Sequence, residues 1–285
     1  MATAYPRVDE FMSTPVVVVK PGDTLAHARR LMLRYRIGRL IVVDEAEKPV
    51  GVVTRSDLAK VAASPRLSRS LDAIRVEEVM TPNPVTIKLG RSVREAARLM
   101  LQHGVSGLPV VDGEGRVVGV ITKTDVVRAY AERLRGRYKA GDVMYTDPPT
   151  VGPQHSVYYV AELLESHPAR RVLVVDGGRV VGIIAPSDLA FLVEYSRELG
   201  KNRRVRRFEE LPKGRLGPVY YFTVPVAADV MTPDPVTVGP DADLADVANL
   251  MIRGGFSSVP VVGDEGSLMG LVVKHSILRA VVEKG

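Results

Sequence analysis

The chain has 285 residues, 39 basic and 33 acidic side chains, and no cysteine. The missing cysteines exclude disulfides, thiolate metal sites and cysteine nucleophiles. No apolar run approaches the roughly 18 residues of a membrane helix, and the first residues lack an apolar signal core. We therefore expect a cytoplasmic protein of about two domains, without a membrane partner, whose net charge of +6 hints at a polyanionic partner.

One phrase occurs four times: FMSTPVVVVKPGDTL, VMTPNPVTIKLGRSV, VMYTDPPTVGPQHSV and VMTPDPVTVGPDADL. Proline fixes its own φ and pushes the preceding residue into extended conformations, so the phrase predicts a stiff, extended approach to a short strand. That strand is 85–87 in the second copy and 236–238 in the fourth. Thirteen residues after each methionine, an apolar residue opens a helical pattern with one apolar face. These residues are Leu25, Val93, Val157 and Leu244.

Each predicted helix is followed by an apolar strand, a tight turn and a second apolar strand, which is the pattern of a β-hairpin. The second strand carries a glycine 39, 39, 38 and 39 residues after the methionine of its copy, at Gly51, Gly119, Gly182 and Gly270. A final helical segment ends each unit of about 55 residues. Such a small unit cannot cover its own sheet, so we expect the units to work in pairs.

The order MTPxPVTV, amphipathic helix, LPVVD, hairpin and GVIT-x-x-D resembles the CBS domain, named after cystathionine β-synthase. The resemblance implies an α+β fold of four β-α-β-β-α repeats in two tandem pairs. Two pairs can form a flat disc within one chain, or each can pair with a second chain in a homodimer. The predicted repeats are 8–64, 76–133, 140–195 and 228–283, with an insertion at 196–227.

Polar residues cluster where the last strand of repeats one and two meets the last helix. They are Thr54, Ser56 and Asp57 in GVVTRSDLAK, and Thr122, Thr124 and Asp125 in GVITKTDVVR. The residue before each aspartate is a candidate N-cap, and the helix N-terminus behind it favours a phosphate. The threonine hydroxyl can donate to that phosphate, and the carboxylate can accept from a ribose diol.

By resemblance, CBS pairs bind adenine nucleotides (AMP, ADP or ATP) through this Thr-x-x-Asp motif, with the base in the cleft between the repeats near the proline-rich strand. No metal is required. The alternative is that these residues only cap helices. Capping explains Ser56 and Asp57, but we do not expect it to explain a threonine three residues before the aspartate in both copies.

The second pair departs from the motif. Repeat three has Ala185 in place of the threonine but keeps Asp188, while repeat four has Val273 and Ser276 at the two positions. We therefore expect Asp188 to be a weaker candidate for ligand binding and repeat four to be empty or structural.

The basic excess lies largely in the connectors. One cluster is Lys201, Arg203, Arg204, Arg206 and Arg207, followed by aromatic residues, and the other is Arg133, Arg135, Arg137 and Lys139. Such clusters can bind phosphate backbones, and interleaved aromatic residues can stack on RNA bases. Equally, the insertion can be a solvated linker whose tyrosines pack on a neighbouring repeat.

No residue pattern indicates catalysis, and the five histidines do not stand at metal-ligand spacing. The sequence therefore predicts a non-enzymatic sensor of adenine nucleotides that signals energy status to a protein partner by population shift. The alternative hypothesis is an RNA- or ribosome-associated factor, which would bind ribosomal subunits through its basic connectors with the nucleotide as modulator.

Overall fold

A computed structural model describes residues 5–63, 69–189, 205–211, 215–221 and 224–283. Its helices are α1 Val8–Phe11, α2 Leu25–Arg34, α3 Arg55–Ala63, α4 Val93–Gln102, α5 Lys123–Arg133, α6 Ala140–Val143, α7 Val157–Ser166, α8 Ala227–Val230, α9 Leu244–Gly254 and α10 Lys274–Glu283. Its strands are β1 Val18–Val19, β2 Arg39–Val43, β3 Pro49–Thr54, β4 Thr81–Pro82, β5 Ile87–Lys88, β6 Gly107–Val111, β7 Val117–Thr122, β8 Thr150–Val151, β9 Val172–Asp176, β10 Arg179–Ile184, β11 Val205–Leu211, β12 Arg215–Tyr221, β13 Thr232–Pro233, β14 Ser258–Val262 and β15 Leu268–Val273. The predicted α+β repeats are confirmed.

The first long helix of each repeat begins at the predicted apolar residue. A polar side chain caps each one, since an oxygen of the preceding residue accepts a backbone N–H of the first turn. The caps are Thr24, Ser92, Ser156 and Asp243. Local sequence thus sets where these helices start, and the buried faces of α2, α4, α7 and α9 supply much of the core.

The sheets are completed by exchange between the two repeats of a pair. Within repeat one, β1 is parallel to β2, and β2 is antiparallel to β3. The strand next to β3 is β4, which belongs to repeat two. In return, Ser13 of repeat one bridges Val120 on β7. The second pair does the same, because β13 of repeat four pairs with β10 and Tyr145 of repeat three bridges Leu271.

The recurrent glycine makes room for the recurrent methionine of the other repeat. A Cβ added to Gly51 would overlap Sδ of Met80, and one on Gly119 would overlap Sδ of Met12. Gly182 and Gly270 stand in the same relation to Met231 and Met144, respectively. The constant spacing of methionine and glycine within each repeat therefore reflects a contact between the glycine of one repeat and the methionine of its paired repeat.

One backbone expectation is wrong. Asn83 and Asp234 precede prolines, yet both have positive φ, 52° and 47°, rather than extended conformations. Each donates its backbone N–H to the neighbouring repeat, to the carbonyl of Val50 or Val181. The chain must then leave that strand and return to its own repeat within a few residues. Asparagine and aspartate tolerate the left-handed conformation that this turn requires.

Contacts divide the chain into two compact units. The first contains repeats one and two together with residues Asp241–Ser257 and Val272–Gly285 of repeat four. Inside it, α9 packs on α5, and α10 packs on both α4 and α5. The second contains repeat three and the strands of repeat four, with a core that includes Val160, Leu164 and Val174.

The insertion is not simply a linker, because β11 and β12 pair antiparallel from Val205 opposite Tyr221 to Leu211 opposite Arg215. The sequence carried a signal for this hairpin that our prediction missed. That signal is the sequence Pro-Lys-Gly at 212–214, which favours a turn, between two segments that contain valine, phenylalanine and tyrosine, which favour strands.

The close approach at the recurrent glycine predicts a stability defect. In Gly270→Ala the new Cβ would lie 2.6 Å from the carbonyl oxygen of Tyr145, which backbone pairing holds in place. We expect the substitution to lower the free energy of unfolding by about 1–3 kcal/mol, as overpacking does. Urea unfolding followed by circular dichroism measures the change. Gly113→Ala is the control, since no atom lies within 4 Å of its Cβ position. Equal stabilities of the two variants would contradict this account.

Candidate functional site

The predicted constellation of repeat one lies at the junction of β3 and α3. The Asp57 carboxylate accepts the backbone N–H of Thr54 at 2.9 Å and its hydroxyl at 2.6 Å, both on Oδ2. The other oxygen, Oδ1, lies 3.9 Å from Nζ of Lys60, and the Asp57 side chain is 16% exposed. Oδ1 therefore retains capacity to accept hydrogen bonds from a ligand.

The junction of repeat two has the same geometry, but there both oxygens of the aspartate accept hydrogen bonds from the protein. Asp125 Oδ2 accepts the N–H and hydroxyl of Thr122 at 2.8 and 2.7 Å. Its Oδ1 accepts Nη2 of Arg128 at 2.9 Å, and the same Nη2 donates to the carbonyl of Phe11. The Asp125 side chain is only 8% exposed. The two aspartates are thus unequal, with Asp57 open and Asp125 bonded on both oxygens.

The prediction that Ser56 and Thr124 are N-caps is wrong. Thr122 is the N-cap of α5, and α3 begins at Arg55, directly after Thr54. Ser56 and Thr124 are therefore the second residues of their helices and are exposed. The Thr-x-x-Asp spacing is that of a capping box, so capping does account for it, contrary to our expectation.

The second pair shows that the cap does not need the threonine hydroxyl. In repeat three the Asp188 carboxylate accepts the backbone N–H of Ala185 at 2.7 Å. In repeat four Ser276 Oγ accepts the N–H of Val273 at 3.4 Å and is buried. The hydroxyls of Thr54 and Thr122 are part of the capping boxes of repeats one and two, whereas the last helices of repeats three and four begin without a threonine at this position.

An arginine absent from our prediction lies between the two junctions of the first pair. The backbone of Arg39 is opposite Thr54 in the β2–β3 ladder. Its Nη2 donates to Oγ of Ser106 at 2.9 Å, and its guanidinium packs against Gly107, which is opposite Thr122. Burial lowers the pKa of Arg39, while the nearby Asp125 carboxylate opposes that effect.

Further basic residues stand at the start of α5 and α10. Burial and the charge of Arg39 lower the pKa of Lys123. Burial, Lys123 and Arg279 lower the pKa of His275. Nζ of Lys274 donates to Oγ1 of Thr124 at 3.0 Å. We name Arg39, Lys123, Lys274 and His275 the junction cluster. Comparison of the four copies could have indicated it, because the two residues before the aspartate position are Arg-Ser, Lys-Thr and Pro-Ser in repeats one to three and Lys-His in repeat four.

Each pair also has a cavity beside its first strands. In the first pair it measures 350 Å³ and is lined by Thr14, Pro15, Val16, Val18, Lys20, Val43, Glu47, Val117 and Val118. It lies along β7, the strand that leads to Thr122. In the second pair a cavity of 410 Å³ lies between β10 and the hairpin of repeat four.

The residues predicted to bind nucleic acid lie in two different parts of the chain, with different surroundings. Lys201, Arg203 and Arg204 lie outside the described residues, and Arg206 and Arg207 are on β11. The four residues of the other cluster contact side chains of the protein itself. Arg133 pairs with Glu10 at 3.5 Å, Arg135 with Asp246, Arg137 with the Tyr5 hydroxyl at 3.1 Å and Lys139 with Asp241 at 2.6 Å. A phosphate backbone would have to compete with these contacts.

Over the described ranges, no group of three or more histidine or acidic side chains could hold a metal ion. In the same part of the chain, no helix has the length and apolar character needed to cross a bilayer.

The unequal surroundings of the two aspartates predict unequal effects on stability. Asp125→Asn breaks an ion pair whose carboxylate is buried and should lower the free energy of unfolding by about 1–3 kcal/mol. Asp57→Asn should cost less, since its nearest cation is distant and exposed. Thermal and urea unfolding measure both effects. Arg128→Gln should match Asp125→Asn if the ion pair is the cause, whereas equal losses in the two aspartate variants would rule this explanation out.

Comparison with known proteins identifies the four repeats. The family model for the CBS domain matches residues 8–64, 76–132, 140–195 and 226–283. The Methanocaldococcus jannaschii protein MJ1225 is 26% identical over 276 residues, which cover 93% of this chain and 94% of that protein. Its crystal structure superimposes with a TM-score of 0.71 at 24% identity, covering 96% and 99% of the two chains.

Two further relatives define the extent of the likeness. The crystal structure of a conserved protein from Pyrococcus horikoshii has a TM-score of 0.69 at 20% identity, covering 97% of this chain and 100% of that one. Inosine-5'-monophosphate dehydrogenase of M. jannaschii is 26% identical over 274 residues, but this chain spans only 51% of that enzyme's length. The matched repeats account for most of the sequence, and the chain belongs to the CBS-domain family.

Proposed function

We propose that the protein is a non-enzymatic, cytoplasmic regulator that binds adenine nucleotides in the pair formed by repeats one and two and transmits their presence to a protein partner. The observation that carries this proposal is the half-buried Arg39, which lies between the Thr–Asp junctions of repeats one and two. A buried cation beside polar groups of this kind suits a phosphorylated ligand.

The ribose is assigned to the aspartates. Oδ1 of Asp57 has the capacity to accept both hydroxyls of a ribose diol. Asp125 would serve a second ribose only if Arg128 released its Oδ1, so the repeat-one junction is the stronger of the two. Ser56 and Thr124, on the exposed side of the first helical turns, are within the same region and would face the ligand's polar end.

The base is assigned to an apolar surface. The cavity along β7 is lined largely by valines, and its polar lining residues are Thr14, Lys20 and Glu47. Small-molecule sites typically combine such an apolar lining with a few polar groups that fix orientation. Asp188 offers a carboxylate in repeat three without the threonine, which supports weaker binding in the second pair.

Signalling would follow from the exchange of strands within the pair. A nucleotide that touches both repeats stabilises one relative placement of them, and a ligand can shift a conformational equilibrium only through such a difference in affinity. The likeness to MJ1225, which has been proposed as an archaeal homologue of γ-AMPK, supports a regulatory role. Within the chain, α4 and α5 would carry the change to α9 and α10.

Isothermal titration of the full-length protein with AMP, ADP and ATP tests the function. Asp57→Ala should weaken nucleotide binding by about 1–3 kcal/mol, because a charge-assisted hydrogen bond to the ribose is lost. Thr54→Val should have a smaller effect in the same direction.

Ser276→Ala is the matched control, since it alters the equivalent position of repeat four, where no ligand is assigned. It should leave the affinity for each nucleotide unchanged. Wild-type binding that survives Asp57→Ala undiminished would show that the ribose lies elsewhere, and absence of binding by all three nucleotides would refute the function itself.

A further inference from the structure

The hairpin in the insertion between repeats three and four forms a sheet of its own. Within the ranges that the structure describes, this sheet has two strands, β11 and β12, and no isolated bridge joins them to another part of the chain. A lone two-stranded hairpin is only marginally stable in water, so the sheet would be stabilised by a further strand.

The two outer edges of the hairpin are not equivalent. The strand β12 contains Gly217 and Pro218, and the proline has no backbone N–H to donate to a neighbouring strand. The seven residues of β11, Val205–Leu211, include neither glycine nor proline, so each of them carries a backbone N–H. Addition of a strand is therefore expected along β11 rather than along β12.

The charges of β11 are arranged symmetrically and with opposite sign about its central residue. The strand reads Val-Arg-Arg-Phe-Glu-Glu-Leu, with Phe208 at the centre. Charged residues on an edge strand usually discourage pairing with other chains, but this order is complementary to its own reverse. A second, antiparallel copy centred on Phe208 would place Arg206 opposite Glu210 and Arg207 opposite Glu209. Opposite charges at facing positions stabilise a pair of strands.

This register is specific. Facing residues in it are an even number of positions apart, so both of them direct their backbone groups to the partner strand or neither does. Moving the axis by one residue would set Arg207 or Glu209 opposite its own copy, and parallel pairing in register would oppose only like charges. Within the hairpin, the positions opposite the four charges of β11 hold uncharged residues, namely Leu216, Gly217, Val219 and Tyr220.

We propose that β11 is the self-association edge of this protein, at which two copies pair antiparallel about a two-fold axis at Phe208. The result is a four-stranded sheet in the order β12–β11–β11–β12. Such a contact is closed, because the same surface of each copy is used. The strands that carry Pro218 lie on the outside of the sheet, where the proline opposes the addition of further copies.

Sedimentation equilibrium of the full-length protein at low salt tests the proposal, with an expected mass of twice that of one chain. Two variants place like charges at all four facing positions. The acidic variant is Arg206→Glu with Arg207→Glu, and the basic variant is Glu209→Arg with Glu210→Arg. Each should raise the dissociation constant of the dimer about tenfold or more.

Mixing the two variants separates charge complementarity from a loss of folding. In an equimolar mixture, the acidic strand of one variant faces the basic strand of the other, and a heterodimer should form. The chain that carries all four substitutions is again complementary to its own reverse and should form a homodimer. Two monomeric variants that fail to associate when mixed, although circular dichroism shows them folded, would contradict the proposed register.

A cysteine at the axis tests the register itself. The chain has no cysteine, so one introduced thiol reports on one contact. In Phe208→Cys the two copies face each other with Cα atoms about 4.5–5.5 Å apart, a separation that allows a disulfide. Val205→Cys is the control, since its two copies would be about 20 Å apart. After mild oxidation, a non-reducing gel should show crosslinked dimer for Phe208→Cys alone.

Arg29→Glu with Arg30→Glu is the control for net charge, because it makes the same change of charge as the acidic variant at two exposed residues of α2. It should leave the dimer intact, and loss of the dimer in this control would overturn the proposal. So would a wild-type protein that is monomeric at every concentration. Assembly that appears only when RNA is added would also overturn it, and would favour a polyanion contact of Arg206 and Arg207 instead.

Discussion

The exchange of short strands between paired repeats is the constraint on which the rest of the structure depends. Each repeat completes the sheet of its partner, and a methionine from one fits over a glycine of the other. The fit leaves no room for a side chain, which fixes how the two repeats meet. In the first pair it sets Thr54 and Thr122 at the ends of strands that Arg39 connects. The arrangement of polar groups is therefore a product of backbone pairing.

The four repeats share this plan and use it differently. Repeats one and two keep threonine and aspartate at their junctions, although the Arg128 ion pair closes one of them. Repeat three has lost the threonine and retains the carboxylate, which accepts the backbone N–H of Ala185. Repeat four replaces the motif with Lys274, His275 and Ser276, buries the serine and places the lysine beside Thr124. Loss of a motif in one copy thus accompanies gain of charge at another, which a count of intact motifs would not reveal.

The apolar periodicity of the sequence predicted those features of the fold that depend on a few consecutive residues. The helix starts at Leu25, Val93, Val157 and Leu244 follow from apolar spacing and a capping residue, both contained in a few consecutive positions. Candidate residues Thr54, Asp57, Thr122 and Asp125 were also found from their motif. The N-cap prediction failed because Ser56 and Thr124 are residue types that favour the N-cap position as strongly as Thr54 and Thr122, which directly precede the helices. The left-handed Asn83 and the position of Arg39 depend on Val50 and Ser106, which are far away in the chain and which one sequence does not specify. The ion pair of Arg128 with Asp125, by contrast, is an i,i+3 contact that helical spacing could have indicated.

The most direct test of the account is a crystal structure of the full-length protein with bound ATP. The account predicts the ribose on Asp57 and the phosphate beside Arg39. A nucleotide bound in the second pair at Asp188, or one whose phosphates point away from Arg39, would contradict it.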